Sequence, residues 1–218
     1  MKIVLGLALT VLISYLIGSV NSAITICRII KKDDIRKYGS GNAGLTNVLR
    51  VYGKGPATVT LLCDLAKGVI AVVLCRVLVT DVLHVTFFDN RLFIGYVAGL
   101  FVMLGHIFPV FYKFHGGKGV LIAATTLIAI DPLTCLFSVL VFAIILAVTK
   151  YVSVGSICAA FSYPLFTIIT QSLRDMTGVW QNAAMALVIA FLITYMHKPN
   201  IKRLKAGTEN KFSFSSKK

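Results

Sequence analysis

A serine between two glycines, Gly39-Ser40-Gly41, is followed closely by Asn42, Gly44, Thr46, Asn47 and Arg50, and later in the chain stands Gly116-Gly117-Lys118-Gly119. These are residue types that hold phosphate. Glycine lets backbone N–H groups come close to an anion, hydroxyl and amide side chains add neutral donors, and one Arg or Lys per segment supplies the opposite charge. The density of donors between Ser40 and Arg50 favours an anion cradle over a plain turn-rich connector. The run Gly39-x-Gly41-x-x-Gly44 formally matches a dinucleotide fingerprint, but that pattern has meaning only between a strand and a helix of a βαβ unit, and none is readable here. The second segment lacks the Ser or Thr that must follow the lysine of a Walker A loop, which argues against an NTPase. It reads instead as the start of a helix, where exposed N–H groups, Lys118 and the helix dipole favour a phosphate.

Two further polar segments, Tyr151-Val152-Ser153-Val154-Gly155-Ser156 and His197-Lys198-Pro199-Asn200-Ile201-Lys202-Arg203, interrupt apolar sequence. Taken singly, Tyr151 is an interfacial anchor, Ser153 or Ser156 a helix cap, and His197 a dipole partner as readily as a base. Asp64 and Lys67 fall inside an apolar run at i, i+3 and can pair on one helix face; intramembrane charge is either functional or a structural tie. His106 and Pro109 close another apolar run. His84 and Asp89 have the His-x4-Asp spacing of an acyltransferase dyad, yet the topology below puts them on the face opposite the glycine segments. The five cysteines are scattered within or beside apolar runs without a CxxC pair and read as small hydrophobes. No metal-ligand pattern is present, and neither a metal nor a cofactor is expected.

The elements that must position these segments are apolar. Hydrophobic residues make up 57% of the 218 and mean hydropathy is +0.87, too apolar for an ordinary soluble core. Runs near the length of about 20 residues that a spanning helix needs occur at Ile3 to Ile26, Pro56 to Val79, Leu92 to Tyr112, Leu133 to Thr149, Ser156 to Ile169 and Asn182 to Met196. Leu121 to Ile130 is shorter, and Asp131-Pro132 behind it is a break signal. A seventh crossing there puts nearly all loop and tail Lys and Arg on one side and only Lys2, Arg91 and Arg174 on the other. A six-span drawing erases most of that bias, so the positive-inside rule favours seven spans with the N-terminus outside. The same rule accounts for the net charge of +14, and with no helix-turn-helix or zinc pattern a nucleic-acid partner is not expected. The expectation is an all-α polytopic membrane protein, a single domain over 1–218, whose polar tail frays from about residue 208, Ser213 to Lys218 included.

Four ordered motifs carry a family resemblance: Gly39-Ser40-Gly41-Asn42 with Gly44, Thr46-Asn47 and Arg50; Gly105-His106 with Pro109-Val110-Phe111 and Phe114-x-Gly116-Gly117-Lys118-Gly119-Val120; Tyr151-Val152-Ser153 with Ser156-Ile157; and Asn200-Ile201 with Arg203-Leu204. Over nearly its whole length the chain resembles the bacterial membrane glycerol-3-phosphate acyltransferases that use acyl phosphate as donor. The resemblance implies an enzyme of the bacterial cytoplasmic membrane that makes lysophosphatidic acid and phosphate, the first acylation of phospholipid synthesis, at the cytoplasmic face. Its partners would be acyl phosphate, glycerol 3-phosphate and the bilayer; oligomeric state is silent. By motif, Ser40, Lys118, His197 and Asn200 would be catalytic. Asn42, Thr46, Asn47, Arg50, Gly116, Gly117, Gly119, Ser153 and Ser156 would bind substrate, with the Gly116-Gly117 backbone clamping the acyl phosphate. Leu45 and Leu121-Ile122 depart from the family's usual small or polar residues and bear on loop packing. An acyl phosphate is already activated, so the leaving phosphate can take the hydroxyl proton, with His197 as the alternative base. The rival reading is a transporter of an organic phosphate, which would more often place its site mid-membrane on broken helices.

Overall fold

The computed structural model describes residues 1–212, and among them the chain is helical with no strand beyond one isolated bridge between Phe87 and Asn90. The frayed end expected from Ser213 to Lys218 lies outside the described residues. The chain divides into two compact units, Met1–Ile130 and Asp131 onward.

In the first unit, α1 (Lys2–Ser19) and α2 (Ser22–Lys31) replace what the hydropathy profile reads as one continuous span. The break is chemical. Asn21 adopts an extended backbone and its side chain accepts from the Ile24 N–H, capping a new helix. A short 3-10 turn, Ile35–Lys37, leads through the first glycine segment into α3 (Leu45–Tyr52), and Gly53, at φ +78°, turns the chain into α4 (Lys54–Arg76). A wider π-type turn, Val77–Val82, ends that helix. Then come α5 (Phe93–Ile107) and α6 (Val120–Ile130).

The helices of this unit meet at small residues, as membrane helices do when packing rather than water drives them together. A Cβ on Gly18 of α1 would overlap the Val102 carbonyl of α5, and one on Gly105 of α5 would overlap the Tyr15 carbonyl of α1. Gly68 of α4 and Gly99 of α5 admit Thr125 and Thr126 of α6 in the same way. The Tyr15 hydroxyl donates to the Phe108 carbonyl at 2.8 Å, fixing the end of α5 against α1.

In the second unit, α7 (Pro132–Thr149), α8 (Val152–Ser172) and α9 (Val179–Met196) pack in sequence and α10 (Lys198–Lys205) follows α9. Asp131 caps α7 and also takes Gln171 and Arg174 at the far end of α8, while Gln171 receives Asn182 of α9 at 2.8 Å. Asp131, Gln171 and Asn182 are buried and would be costly unpaired in an apolar surround, while Arg174 reaches in from the exposed side, so the network fixes one end of the three helices.

Among the described residues, five helical stretches are long and apolar enough to cross a membrane: Lys2–Lys31, Phe93–Tyr112, Pro132–Thr149, Val152–Ser172 and Val179–Met196. The chain breaks between α6 and α7 at Asp131, as the Asp-Pro pair predicts. At about 16 Å, α6 is half a bilayer core, and α4 is long but carries Asp64 and Lys67. A count of seven requires both to cross as well.

Candidate phosphate sites at the glycine loops and the C-terminal motif

The first glycine segment sorts its residues by side. Asn47 is buried; its Oδ1 accepts from the Ser40 N–H at 2.9 Å and its Nδ2 donates to the Tyr38 carbonyl at 2.9 Å. Gly39, at φ +60°, has no room for a Cβ beside that amide. Ser40, Thr46 and Arg50 are exposed and Asn42 half-buried. Thr46 and Arg50 stand at i, i+4 on one face of α3, opposite the buried face. The hydroxyls and the guanidinium thus form a loop surface, and Asn47 is the frame behind it.

In the second segment, the backbone N–H of Gly116 donates to the Ile107 carbonyl at 3.0 Å and that of Gly117 to the His106 carbonyl at 3.1 Å. This changes the expected clamp. Those two N–H groups belong to the end of α5, and the donors that follow them in the chain are those of the first turn of α6, whose N–H groups have no intrahelical partner. Lys118 is half-buried there, and Gly119 takes φ +81°.

The structure brings the two segments together. Asn21 Nδ2 lies 3.4 Å from the Ala43 carbonyl and 3.5 Å from the His106 carbonyl. A Cβ on Gly117 would overlap His106 Nε2 and stand 2.8 Å from the Ala43 carbonyl. Arg36 adds a second strap, donating to the carbonyls of Tyr112 and His115, both at 3.0 Å, while Asp34 holds its other face. The Arg36 hydrogen bonds, joined by Arg28, hold the Asp34 carboxyl well below the usual carboxylate range despite partial burial.

In the second unit Ser153, Ser156, His197 and Asn200 are all buried. Ser153 Oγ and Asn200 Nδ2 both donate to Glu209 Oε1, at 3.0 and 2.6 Å, and Arg203 Nε donates to Oε2 at 2.7 Å. Burial works to raise the Glu209 pKa, but the Asn200, Arg203 and Ser153 hydrogen bonds outweigh it and leave the group lowered. The tail expected to fray from about residue 208 is therefore docked, with the Phe212 N–H donating to the Lys150 carbonyl at 2.7 Å. Ser156 gives its hydroxyl proton to the Val152 carbonyl of its own helix. His197 Nδ1 is 2.8 Å from the Ile193 carbonyl, which can only accept, so Nδ1 carries a proton.

Asn21 and Glu209 escaped the reading of the sequence. Asn21 had a signal, a polar residue flanked by Ser19 and Ser22 within an apolar run. Glu209 had little, being one carboxylate in a polar tail. The His84–Asp89 segment precedes α5, whereas Gly116 and Gly117 pack on its far end, roughly 20 Å away along the helix. Among the described residues no cluster of His, Cys, Asp and Glu could hold a metal ion.

The glycerol-3-phosphate acyltransferase family profile matches residues 8–207. The glycerol-3-phosphate acyltransferase of Chlorobaculum parvum is 39% identical, over 93% of this chain and 94% of its own. That of Mycoplasmopsis agalactiae is 36% identical, over 97% and 96%. Two crystal structures of the integral membrane glycerol 3-phosphate acyltransferase PlsY (YgiH) are similar at 35% identity: a glycerol 3-phosphate form with a TM-score of 0.79, over 95% of this chain and 96% of that one, and a lysophosphatidic acid form with a TM-score of 0.78. With these motifs in order and matches over nearly its full length, the chain is an integral membrane protein that belongs to the glycerol-3-phosphate acyltransferase family.

Proposed function

We propose that the protein transfers a fatty acyl group from acyl phosphate to the 1-hydroxyl of glycerol 3-phosphate, releasing lysophosphatidic acid and inorganic phosphate, at the cytoplasmic face of a bacterial inner membrane. The observation that carries the reading is the junction of two glycine loops, each followed by a helix and accompanied by a cation, Arg50 on α3 and Lys118 just before α6. Two phosphate groups must share one reaction. Their mutual repulsion is the main obstacle to assembly, and fixed cations with oriented donors offset it without reorganising during the reaction. The bound forms of the PlsY structures, glycerol 3-phosphate and lysophosphatidic acid, are the acceptor and product that this reading names.

The 1-hydroxyl oxygen attacks the acyl carbonyl carbon, the bond from that carbon to the phosphate oxygen breaks, and inorganic phosphate leaves. The hydroxyl proton goes to the departing phosphate, with His197 Nε2 as the alternative acceptor. Positioning accounts for much of the barrier lowering, because an acyl phosphate needs no further activation. In this reading Ser40, Thr46 and Arg50 hold one phosphate, and Lys118 with the start of α6 holds the leaving one. Asn42 and Gly119 line the loops, while Asn47, Gly116 and Gly117 act by shaping them. Ser153, Ser156, His197 and Asn200 take the roles that the family motifs give them, with Glu209 holding Ser153 and Asn200 in place. The crossing count is seven, with Met1 outside.

The test is direct. Purified protein in lipid, given acyl phosphate and glycerol 3-phosphate, should release phosphate and form lysophosphatidic acid, with little product from acyl-CoA. Equal rates with the two donors would reject the donor assignment.

A further inference from the structure

Behind the junction of the glycine loops lies a buried ionic group that no step above uses. Asp64 and Lys67 of α4 pair at 2.9 Å, with side chains 1% and 9% exposed. Lys67 Nζ also lies 3.1 Å from the Val20 carbonyl and 3.1 Å from His106 Nδ1. The Val20 carbonyl is available because the Ile24 N–H, which a continuous helix would have sent to it, goes to the Asn21 side chain instead. An ammonium has three N–H donors and no acceptor. Here it has one ion-pair partner, Asp64, and two hydrogen-bond partners, the Val20 carbonyl and His106 Nδ1.

We propose that Lys67, held by Asp64, is a positioning residue that keeps His106 in the tautomer with its proton on Nε2 and through that ring sets the spacing of the two glycine loops. Nδ1 can only accept from an ammonium, so the ring proton of a neutral His106 must lie on Nε2. That nitrogen abuts Gly117, which itself packs on the Ala43 carbonyl of the first loop. The His106 carbonyl accepts from the Gly117 N–H at 3.1 Å, with the Asn21 amide 3.5 Å away. The same histidine therefore touches the α1–α2 break and the second loop and reaches the first loop through Gly117, and Lys67 fixes its orientation from behind. A protonated lysine without Asp64, or Asp64 without Lys67, would be an uncompensated charge in an apolar surround, so the pair acts as one element. The proposal rests on the reading of the glycine loops as phosphate sites.

The experiment begins with wild-type protein carrying 15N-histidine in lipid nanodiscs, with the His106 signals assigned by their loss in His106→Gln. At neutral pH they should show an unprotonated Nδ1 and a protonated Nε2. In Lys67→Met the Nδ1-protonated form should gain population, and KM for acyl phosphate or glycerol 3-phosphate should rise at least about tenfold with kcat falling less than about threefold, the pattern of weakened binding. Asp64→Asn should move both readouts the same way. A wild-type ring protonated on Nδ1 or on both nitrogens overturns the proposal, as does an unchanged tautomer or an unchanged KM in a folded Lys67→Met; if that variant does not fold, the wild-type spectrum and Asp64→Asn decide. The tautomer is read without turnover. A chain inactive with acyl phosphate would therefore refute the donor reading while leaving the tautomer test intact.

Discussion

Gly117 leaves no space for a side chain, because one neighbour is a ring held by Lys67 and the other is the backbone carbonyl of Ala43. Neither can yield as a flexible side chain would. Gly117→Ala should therefore cost about 1–3 kcal/mol of stability through overpacking and reduce kcat/KM at least about tenfold by pushing the two loops apart. Gly55→Ala is the matched control: nothing lies within 4 Å of its added Cβ, and alanine is the better helix former by about 1 kcal/mol. Thermal melting and turnover measured on both variants should separate them, and equal behaviour would mean that the junction tolerates displacement. Lys118 sits in the same segment in a different role. If it meets the leaving phosphate in a water-poor site, Lys118→Ala should lower kcat by about a hundredfold or more, on the order of 3 kcal/mol. A variant with near-normal turnover would remove Lys118 from the reaction.

At the scale of elements, Glu209 joins two helices. It takes Ser153 from α8 and Asn200 and Arg203 from α10, so its charged state bears on the geometry of both helices. Its pKa is lowered on folding, which means the carboxylate favours the folded arrangement. That contribution is complete above the ordinary carboxylate range and is lost as pH falls through the lowered value. Amide exchange of residues 208–212, corrected for its intrinsic rate, should hence stay slow from neutral pH down to about 4.5 and quicken below it. In Glu209→Gln it should be fast throughout, and fast exchange in wild-type protein at neutral pH would show that the tail is not docked. Glu209 also marks where the sequence stops being readable. Helices α4 through α9 follow from hydropathy to within a few residues, since burial in lipid needs long apolar runs whatever their neighbours are. The break at Asn21 does not follow, because it depends on a side chain replacing a backbone acceptor, a local event inside a run that stays apolar on average. The Asp64–Lys67 pair follows from i, i+3 spacing, but its third partner, His106, is 39 residues away. Likewise the glycine loops show their phosphate character through composition, whereas the use of the Gly116 and Gly117 N–H groups by α5 is visible only in three dimensions.

For the whole molecule, the first question is which side of the membrane the motifs occupy. The asymmetry of Lys and Arg predicts positions 42, 118, 153 and 200 on the cytoplasmic side and Met1 outside. Single cysteines introduced at 42 or 200 in a background lacking the five native ones should resist an impermeant thiol reagent applied from outside; rapid labelling would reverse the orientation. The second question is the order of events. A covalent acyl-enzyme on Ser40 would need a base within hydrogen-bond reach, itself oriented by a third group. The histidines of the first unit do not supply one. His84 belongs to the loop before α5, His106 is held between Lys67 and Gly117, and His115 Nδ1 lies 2.5 Å from the Lys113 carbonyl of its own turn. Ser40 is exposed, with its N–H tied to Asn47 and a glycine on each side, a setting for binding an anion rather than for activating a nucleophile. Direct transfer with both substrates bound is the expected route. Steady-state lines for varied acyl phosphate at several fixed glycerol 3-phosphate concentrations should then intersect. Parallel lines, together with radiolabelled acyl chain trapped on Ser40 when acceptor is withheld, would establish an acyl-enzyme and require a base that the first unit does not provide.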